Sequence, residues 1–174
     1  MTRLSSKMLM IAAPALLMAA PLFGQAAISS LKGHDSNAPV DVAADRIELQ
    51  DRADRALLTG NVEVRQGDMT LRAARLTVAY TRNASTEIKR LDASGNVTLT
   101  SPSETASGDV GIYDLDRRLI TMMGHVTLTH GASDLHGGRL VIDLDSGRAT
   151  MDGAVVNGGS NRVTGRFTVP KRDR

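Results

Sequence analysis

The sequence predicts an all-β fold built from antiparallel strands. Three observations support it: apolar and polar residues alternate from about residue 40 onward, a Gly-x-Val-x-apolar motif recurs, and turn-forming residues separate the alternating runs. A period of two is typical of strands that bury one face. Short turns join consecutive strands in antiparallel pairs. We therefore expect no helix in this part of the chain.

The Gly-x-Val motif marks an internal repeat. It stands at Gly60-Asn61-Val62, Gly95-Asn96-Val97 and Gly124-His125-Val126, and returns in weaker form at Gly153-Ala154-Val155. The glycines are 35, 29 and 29 residues apart. A second strand motif interleaves with the first and begins at Asp45, Arg75, Asp109 and Arg139. Interleaved motifs with one shared period indicate a repeat architecture, in which each unit buries its apolar face against its neighbours.

The alternation shifts by one residue at matching points of the repeat. These points are Ala43-Ala44, Ala73-Ala74, Ser107-Gly108 and Gly137-Gly138. One extra small residue in a strand is typical of a bulge that turns a corner. The motif glycines are predicted to point inward, where a missing side chain lets a sheet bend sharply. A sheet creased in this way folds over on itself, so we predict a long, V-shaped or jellyroll-like antiparallel sandwich with an apolar interior.

The alternation also predicts which residues line that interior. The predicted inner-face residues are Val40, Val42, Ile47, Leu49, Val62, Val64, Leu76, Val78, Val97, Leu99, Val110, Ile112, Tyr113, Val126, Leu128, Leu140 and Ile142. Two interpretations remain open from the pattern alone. The same residues are expected either in a closed core or in a groove that binds a long apolar ligand.

The N-terminus is predicted to be an export signal. Arg3 and Lys7 precede an apolar run, and Gly24-Gln25-Ala26 offers small residues at a cleavage site, between Ala26 and Ala27. Pro14 and Pro21 interrupt the run, which argues against a retained membrane anchor. The predicted organisation is a signal over residues 1–26, a flexible lead-in over 27–38, one β-jellyroll domain over 39–169 and a basic tail over 170–174.

The composition argues against several functional classes. The chain has no Cys, which excludes disulfides and thiolate metal sites. Without residues 1–26 it would carry 19 basic and 19 acidic residues, and it has no Trp, so we expect no nucleic-acid partner. His125, His130 and His136 do not share one face of a strand, so we predict no metal site and no cofactor. No carboxylate pair suggests a glycosidase, and we predict no catalytic residues.

The two ends of the predicted sheet are candidate interfaces. An open sheet has unpaired N–H and C=O groups at its edges, which invite strand addition. One edge is expected near Val40 to Leu49 and the other near Val163 to Val169, before Pro170. The predicted edge-strand interface residues are Val40, Asp41, Val42, Val163, Gly165, Phe167 and Val169.

These motifs together resemble the OstA/LptA family. The matching segments, in order, are Ala44-Asp45-Arg46-Ile47, Leu58-Thr59-Gly60-Asn61-Val62, Gln66-Gly67-Asp68, Ala73-Ala74-Arg75-Leu76, Ala93-Ser94-Gly95-Asn96-Val97, Gly108-Asp109 and Gly137-Gly138-Arg139-Leu140. The resemblance covers about residues 38–155. The chain departs from the family pattern at His125, where Asn is usual, and at Gly108, where another small residue is usual.

The resemblance implies an open, V-shaped antiparallel β-jellyroll that serves as a periplasmic bridge protein for lipopolysaccharide, with the lipid A acyl chains in the interior. It implies partners at the sheet edges: an anchored inner-membrane Lpt component, an outer-membrane Lpt translocon and further copies in head-to-tail order. It implies neither catalysis nor a cofactor. Two alternatives stay open, namely the membrane-anchored Lpt component of the same fold and a structural β-solenoid of the envelope with a dry core.

Overall fold

The computed structural model describes residue 31 and residues 34–82, 85–153 and 162–168. The described part contains ten β-strands and one 3-10 turn, Asp51–Ala53, and the predicted all-β fold is confirmed. The strands are β1 (Val40–Ala43), β2 (Arg46–Gln50), β3 (Arg55–Gln66), β4 (Met69–Arg82), β5 (Thr86–Thr100), β6 (Glu104–Asp114), β7 (Leu119–His130), β8 (Ser133–Asp143), β9 (Arg148–Asp152) and β10 (Thr164–Arg166).

All ten strands belong to one open antiparallel sheet. The order of its long strands is β3-β4-β5-β6-β7-β8, so each pairs with its neighbour in the sequence. Two short strands pair with β3 at one end, β2 along its first half and β1 along its second half. At the other end β9 pairs with the second half of β8, and β10 with its first half. The sheet therefore ends in short strands on both sides.

A crease crosses every long strand pair. The register shifts between Thr59 and Val62 in β3, and equivalent shifts interrupt each of the other four pairs of long strands. The bulges predicted at Ala73-Ala74 and Ser107-Gly108 lie at these shifts. The crease divides the sheet into a first layer, which contains β2 and β9, and a second layer, which contains β1 and β10. The layers fold onto one another as the predicted open β-jellyroll.

The motif glycines make the crease possible, although for a different reason from the one predicted. Gly60, Gly95 and Gly124 have φ of +78°, +82° and +76°, and the residues after them are also left-handed. Gly adopts this conformation without a steric penalty, and Asn tolerates it better than most residues. A Cβ at Gly60 would also collide with the carboxylate of Asp45. Since Gly95 is exposed, the glycines serve the left-handed turn and not an inward-facing position.

A polar pair closes the crease in two repeats. The Asn61 amide donates to the Asp45 carboxylate over 2.9 Å. At the third Gly-x-Val motif, Nδ1 of His125 lies 2.8 Å from the carboxylate of Asp109. His125 thus takes the place of the usual Asn by contacting the same acidic position of the repeat. The departure from the family motif preserves the contact.

Part of the segment predicted as a flexible lead-in packs against the domain. Leu31 belongs to the apolar core and is 4 % exposed. The His34 ring contacts Asp68 and Gln66, and Gln66 holds two carbonyls of the same segment. One apolar and several polar contacts with the domain hold these residues in the structure, while the flexibility of residues 27–38 stays a prediction.

Candidate functional site

The inner faces of the two layers form one continuous apolar surface. Across the first layer, one row of paired inward residues is Ile47, Leu58, Leu76, Ala93, Gly111, Met122, Leu140 and Met151. Across the second layer, the corresponding row is Val42, Val64, Leu71, Leu99, Ala106, Leu128, Leu135 and Gly165. Directly paired residues of antiparallel strands share a face, so each row runs across the whole sheet.

Most of the predicted inner-face residues are buried on this surface. The buried ones are Val62, Val64, Leu76, Val78, Val97, Leu99, Tyr113, Val126, Leu128, Leu140 and Ile142. Val40 is half-buried and packs against the same core. The burial alternates along each strand as the sequence pattern indicates.

Val110 and Ile112 are the exceptions, because they lie on the opposite face. Their neighbours Gly111 and Tyr113 are buried, while Val110 and Ile112 are only half-buried. A Cβ added at Gly111 would lie 2.9 Å from Cγ1 of Val97, so this inward position needs a residue without a side chain. The sequence analysis assigned the apolar pair to the interior, and that assignment was wrong.

The first edge of the sheet exposes its inner face. Ile47 pairs with buried Leu58, and Leu49 pairs with buried Ala56, so both lie on the inner face of β2. They are nevertheless 49 % and 68 % exposed. Val42 of β1 is also an exposed inner-face residue, since it pairs with Val64. Its neighbour Asp41 pairs with Arg65, and both are exposed.

The second edge is exposed as well. Gly165 pairs with Leu135, and Val163 and Phe167 are exposed apolar residues beside β10. Val169 of the predicted interface lies outside the described residues, as do Ala26 and Ala27 of the predicted cleavage site. Both ends of the sheet therefore present apolar side chains next to short strands.

Between the layers the interior is filled by its own side chains. The cavity beside Leu31 has a volume of about 10 Å³ and is lined by Leu31, Leu99, Leu128 and Ile142, among others. That volume is about the space one water molecule needs. Beside Leu31 the interior therefore has no room for an acyl chain until side chains or layers move apart.

A polar cluster borders the interior at the opening of the V. Gln66 and Glu104 are the buried polar or charged residues of the described part of the chain. The Tyr113 hydroxyl donates to Oε1 of Gln66 over 3.0 Å and so joins the first layer to the second. Burial raises the pKa of Tyr113, and a hydrogen bond with Ser36 partly opposes that shift. Sequence analysis missed Gln66, although its parity with Val62 and Val64 indicates an inward position.

The outer face carries paired charges. Arg72 donates to the Glu63 carboxylate over 2.9 Å, and Arg65 forms a second ion pair with it. The hydrogen bond from Arg72 lowers the pKa of Glu63, with a smaller contribution from the charge of Arg65. Arg65 and Arg72 thus share one carboxylate partner on the outer face.

The histidines contact individual carboxylates. His125 lies beside Asp109, His130 beside Glu104 and His136 beside Asp134. No group of three or more His, Asp or Glu within the described ranges is arranged to hold a metal ion. The described residues also contain no helix with the length and apolar character needed to cross a membrane.

A creased, open antiparallel sheet with a continuous apolar inner face and uncovered edges defines the class of open β-jellyroll domains. The family model described as "LptA/(LptD N-terminal domain) LPS transport protein" matches residues 41–148. The chain belongs to this family.

The chain is also similar to one relative in sequence and to one solved structure in fold. An uncharacterized protein of Rhizobium meliloti (strain 1021) is 31 % identical over 130 residues, which cover 70 % of each chain. The crystal structure of LptH, the LptA-homologous periplasmic component of the lipopolysaccharide transport device of Pseudomonas aeruginosa, matches with a TM-score of 0.69 at 18 % identity. The match covers 78 % of this chain and 99 % of LptH.

Proposed function

We propose that this protein is a periplasmic carrier of lipopolysaccharide. It receives the lipid from the anchored inner-membrane Lpt component and passes it toward the outer-membrane Lpt translocon, without catalysis and without a cofactor. The family assignment supports transport of lipopolysaccharide in general, and the description of LptH supports the periplasmic location. The bridging role and the binding residues are the finer parts of the proposal.

The observation that carries the proposal is the apolar inner face that continues to an uncovered edge. Burying each CH₂ of an acyl chain gains about 0.8 kcal/mol and needs no specific geometry. Aliphatic rows such as the one through Leu71, Leu99 and Leu128 are therefore sufficient to hold several acyl chains once the layers separate. Ile47 and Leu49 are exposed apolar side chains that lie next to each other on one face of β2. Such an exposed apolar surface is typical of a site where a ligand or partner binds.

The edges supply the second part of the proposal. β1 and β2 end the sheet on one side, and β9 and β10 end it on the other. Strand addition by a partner would continue both the backbone ladder and the apolar surface across the joint. Because the two edges differ, such contacts are heterologous and join molecules head to tail without closing a ring.

Mass spectrometry of lipid that co-purifies with the protein tests this function. The protein is isolated from the periplasm of a Gram-negative host, washed without detergent and extracted. We expect lipopolysaccharide in the extract, and an immunoglobulin-like β-sandwich exported in the same host serves as the control. Absence of lipid, together with no transfer from lipopolysaccharide micelles to the purified protein, would contradict the proposal.

One observation favours a second candidate, a structural envelope protein with a dry core. The cavity beside Leu31 has a volume of only about 10 Å³, which suits the core of a purely structural sandwich. The same extraction separates the two candidates, because a structural protein retains no lipid. The membrane-anchored Lpt component remains a third alternative, which N-terminal sequencing of the exported protein tests: a start at Ala27 supports the soluble carrier, and a retained N-terminus supports the anchored component.

A further inference from the structure

Leu31 and residues 34–38, here called the strap, lie across the opening between the two layers. The strap precedes β1 and is separated from it by Pro39 alone. Its contacts reach the β3–β4 turn of the second layer and the β6–β7 region of the first layer. It is therefore positioned between the ends of the two layers that lie farthest from the crease, here called the lips.

The second layer holds the strap through Gln66. The Gln66 amide donates to the carbonyl of Ser36 over 3.0 Å and to the carbonyl of Ala38 over 3.1 Å. His34 lies 3.2 Å from Oε1 of the same residue and 3.1 Å from the carboxylate of Asp68. The His34 side chain is only 1 % exposed, so this end of the strap is packed into the opening.

The first layer holds the strap from the other side. Tyr113 donates to Oε1 of Gln66, the residue whose amide binds the two strap carbonyls. Arg118 lies within 3.5 Å of the Asn37 amide oxygen. The strap thus connects the two lips mainly through polar contacts, which water replaces only in part when the strap leaves, so that each contact still favours the closed state by a modest amount.

Leu31, the first residue of the strap, fills the space between the two layers. It lines the small cavity together with Leu99 and Leu128 of the second layer and Ile142 of the first layer. An acyl chain that enters between these residues has to displace the Leu31 side chain, because about 10 Å³ leaves no other space.

We propose that the strap is a gate: its release from Gln66 and withdrawal of Leu31 open the interior to a lipid acyl chain. This inference rests on the proposed lipid-carrier function. The polar anchors keep the empty interior closed to water. When a lipid is present, its acyl chain makes apolar contacts equivalent to those of Leu31, and these contacts compensate the free energy needed to open the interior. Without a lipid, that free energy is not compensated.

A reducible cross-link between strap and lip tests the gate. The chain has no Cys, so His34→Cys with Asp68→Cys introduces a single pair of thiols. A short bis-methanethiosulfonate linker joins them. The control is Thr121→Cys with Val141→Cys, a paired position on the outer face within one layer. Uptake of fluorophore-labelled lipopolysaccharide is followed by stopped-flow fluorescence before and after reduction.

We expect the strap-linked protein to take up lipid about tenfold more slowly than the same sample after reduction, while the control link changes nothing. Equal uptake by linked and reduced protein would overturn the gate and leave the carrier function intact. Failure of wild type and reduced protein alike to take up lipid would overturn the carrier function and the gate with it.

A second variant tests the anchor without a cross-link. Gln66→Met keeps the side-chain length but removes both hydrogen bonds to the strap carbonyls, together with the contacts of Oε1 with His34 and Tyr113. Since at least two hydrogen bonds of ordinary strength between strap and Gln66 are lost, we expect at least roughly tenfold faster uptake. Hydrogen exchange at residues 34–38 should rise before lipid is added, and circular dichroism checks the fold. A folded variant with wild-type exchange and wild-type uptake would contradict the role of Gln66.

Discussion

Leu58 and Ile47 face each other across β3 and β2, yet Leu58 is 1 % exposed and Ile47 is 49 % exposed. The centre of the sheet and its first edge thus carry the same apolar inner face in different surroundings. In the centre, the opposite layer covers the row. At the edge, nothing in the described part of the chain covers it. The difference indicates that the apolar row is longer than the core needs, and that its end is available to a partner or ligand.

Truncation of matched leucines gives the largest expected contrast. Leu76→Ala leaves a cavity in the centre of the core and should lower the free energy of unfolding by about 2–5 kcal/mol. Leu49→Ala removes an exposed side chain of the same face and should cost less than about 0.5 kcal/mol. Urea denaturation measures both. Similar losses would mean that Leu49 is covered in solution, and the comparison between centre and edge would fail.

A charge at the edge should affect association and not folding. Leu49→Asp brings an unpaired carboxylate into the proposed strand-to-strand joint, where its desolvation weakens contact. We expect roughly tenfold weaker head-to-tail association, by light scattering over a concentration series. Gln50→Asp on the outer face of the same strand is the matched control and should associate as wild type does. Equal behaviour of the two variants would remove the first edge from the interface.

Tyr113→Phe gives the smallest effect and concerns the polar border of the core. Loss of the hydrogen bond to Gln66 should cost about 1 kcal/mol. Because burial raises the pKa of Tyr113, the unfolded chain releases this proton near pH 10.0 while the folded chain retains it. Wild-type stability should therefore fall as the pH rises above 10.0, and the variant should lack this part of the fall. Urea midpoints at neutral and alkaline pH measure it; parallel curves would contradict the assignment.

The sequence was sufficient for the architecture because the repeat encodes it locally. A parity shift at Ala73-Ala74 predicts a bulge, and the register does shift between Arg72 and Arg75. The alternation from Val62 to Val64 predicts burial correctly for the same reason. Each of these signals depends on neighbouring residues alone.

The predicted interior residues were wrong in the strand whose outer face is more apolar in sequence than its inner face. In β6 the inward position is Gly111, which has no apolar signal, while Val110 and Ile112 on the outer face have a strong one. The contacts of the strap were missed for another reason. They depend on Gln66, about 30 residues further along the chain, and no local pattern predicts a contact at that separation.

Site-specific photo-crosslinking tests the central claim, that the inner face carries acyl chains, most directly. Benzoylphenylalanine replaces Leu99 or Tyr113 on the inner face, and Thr127 or Ile112 on the outer face. Each variant is loaded with lipopolysaccharide and irradiated. The account predicts lipid adducts at Leu99 and Tyr113 and none above background at Thr127 and Ile112. Equal labelling at all four positions, or labelling at the outer pair alone, would contradict it.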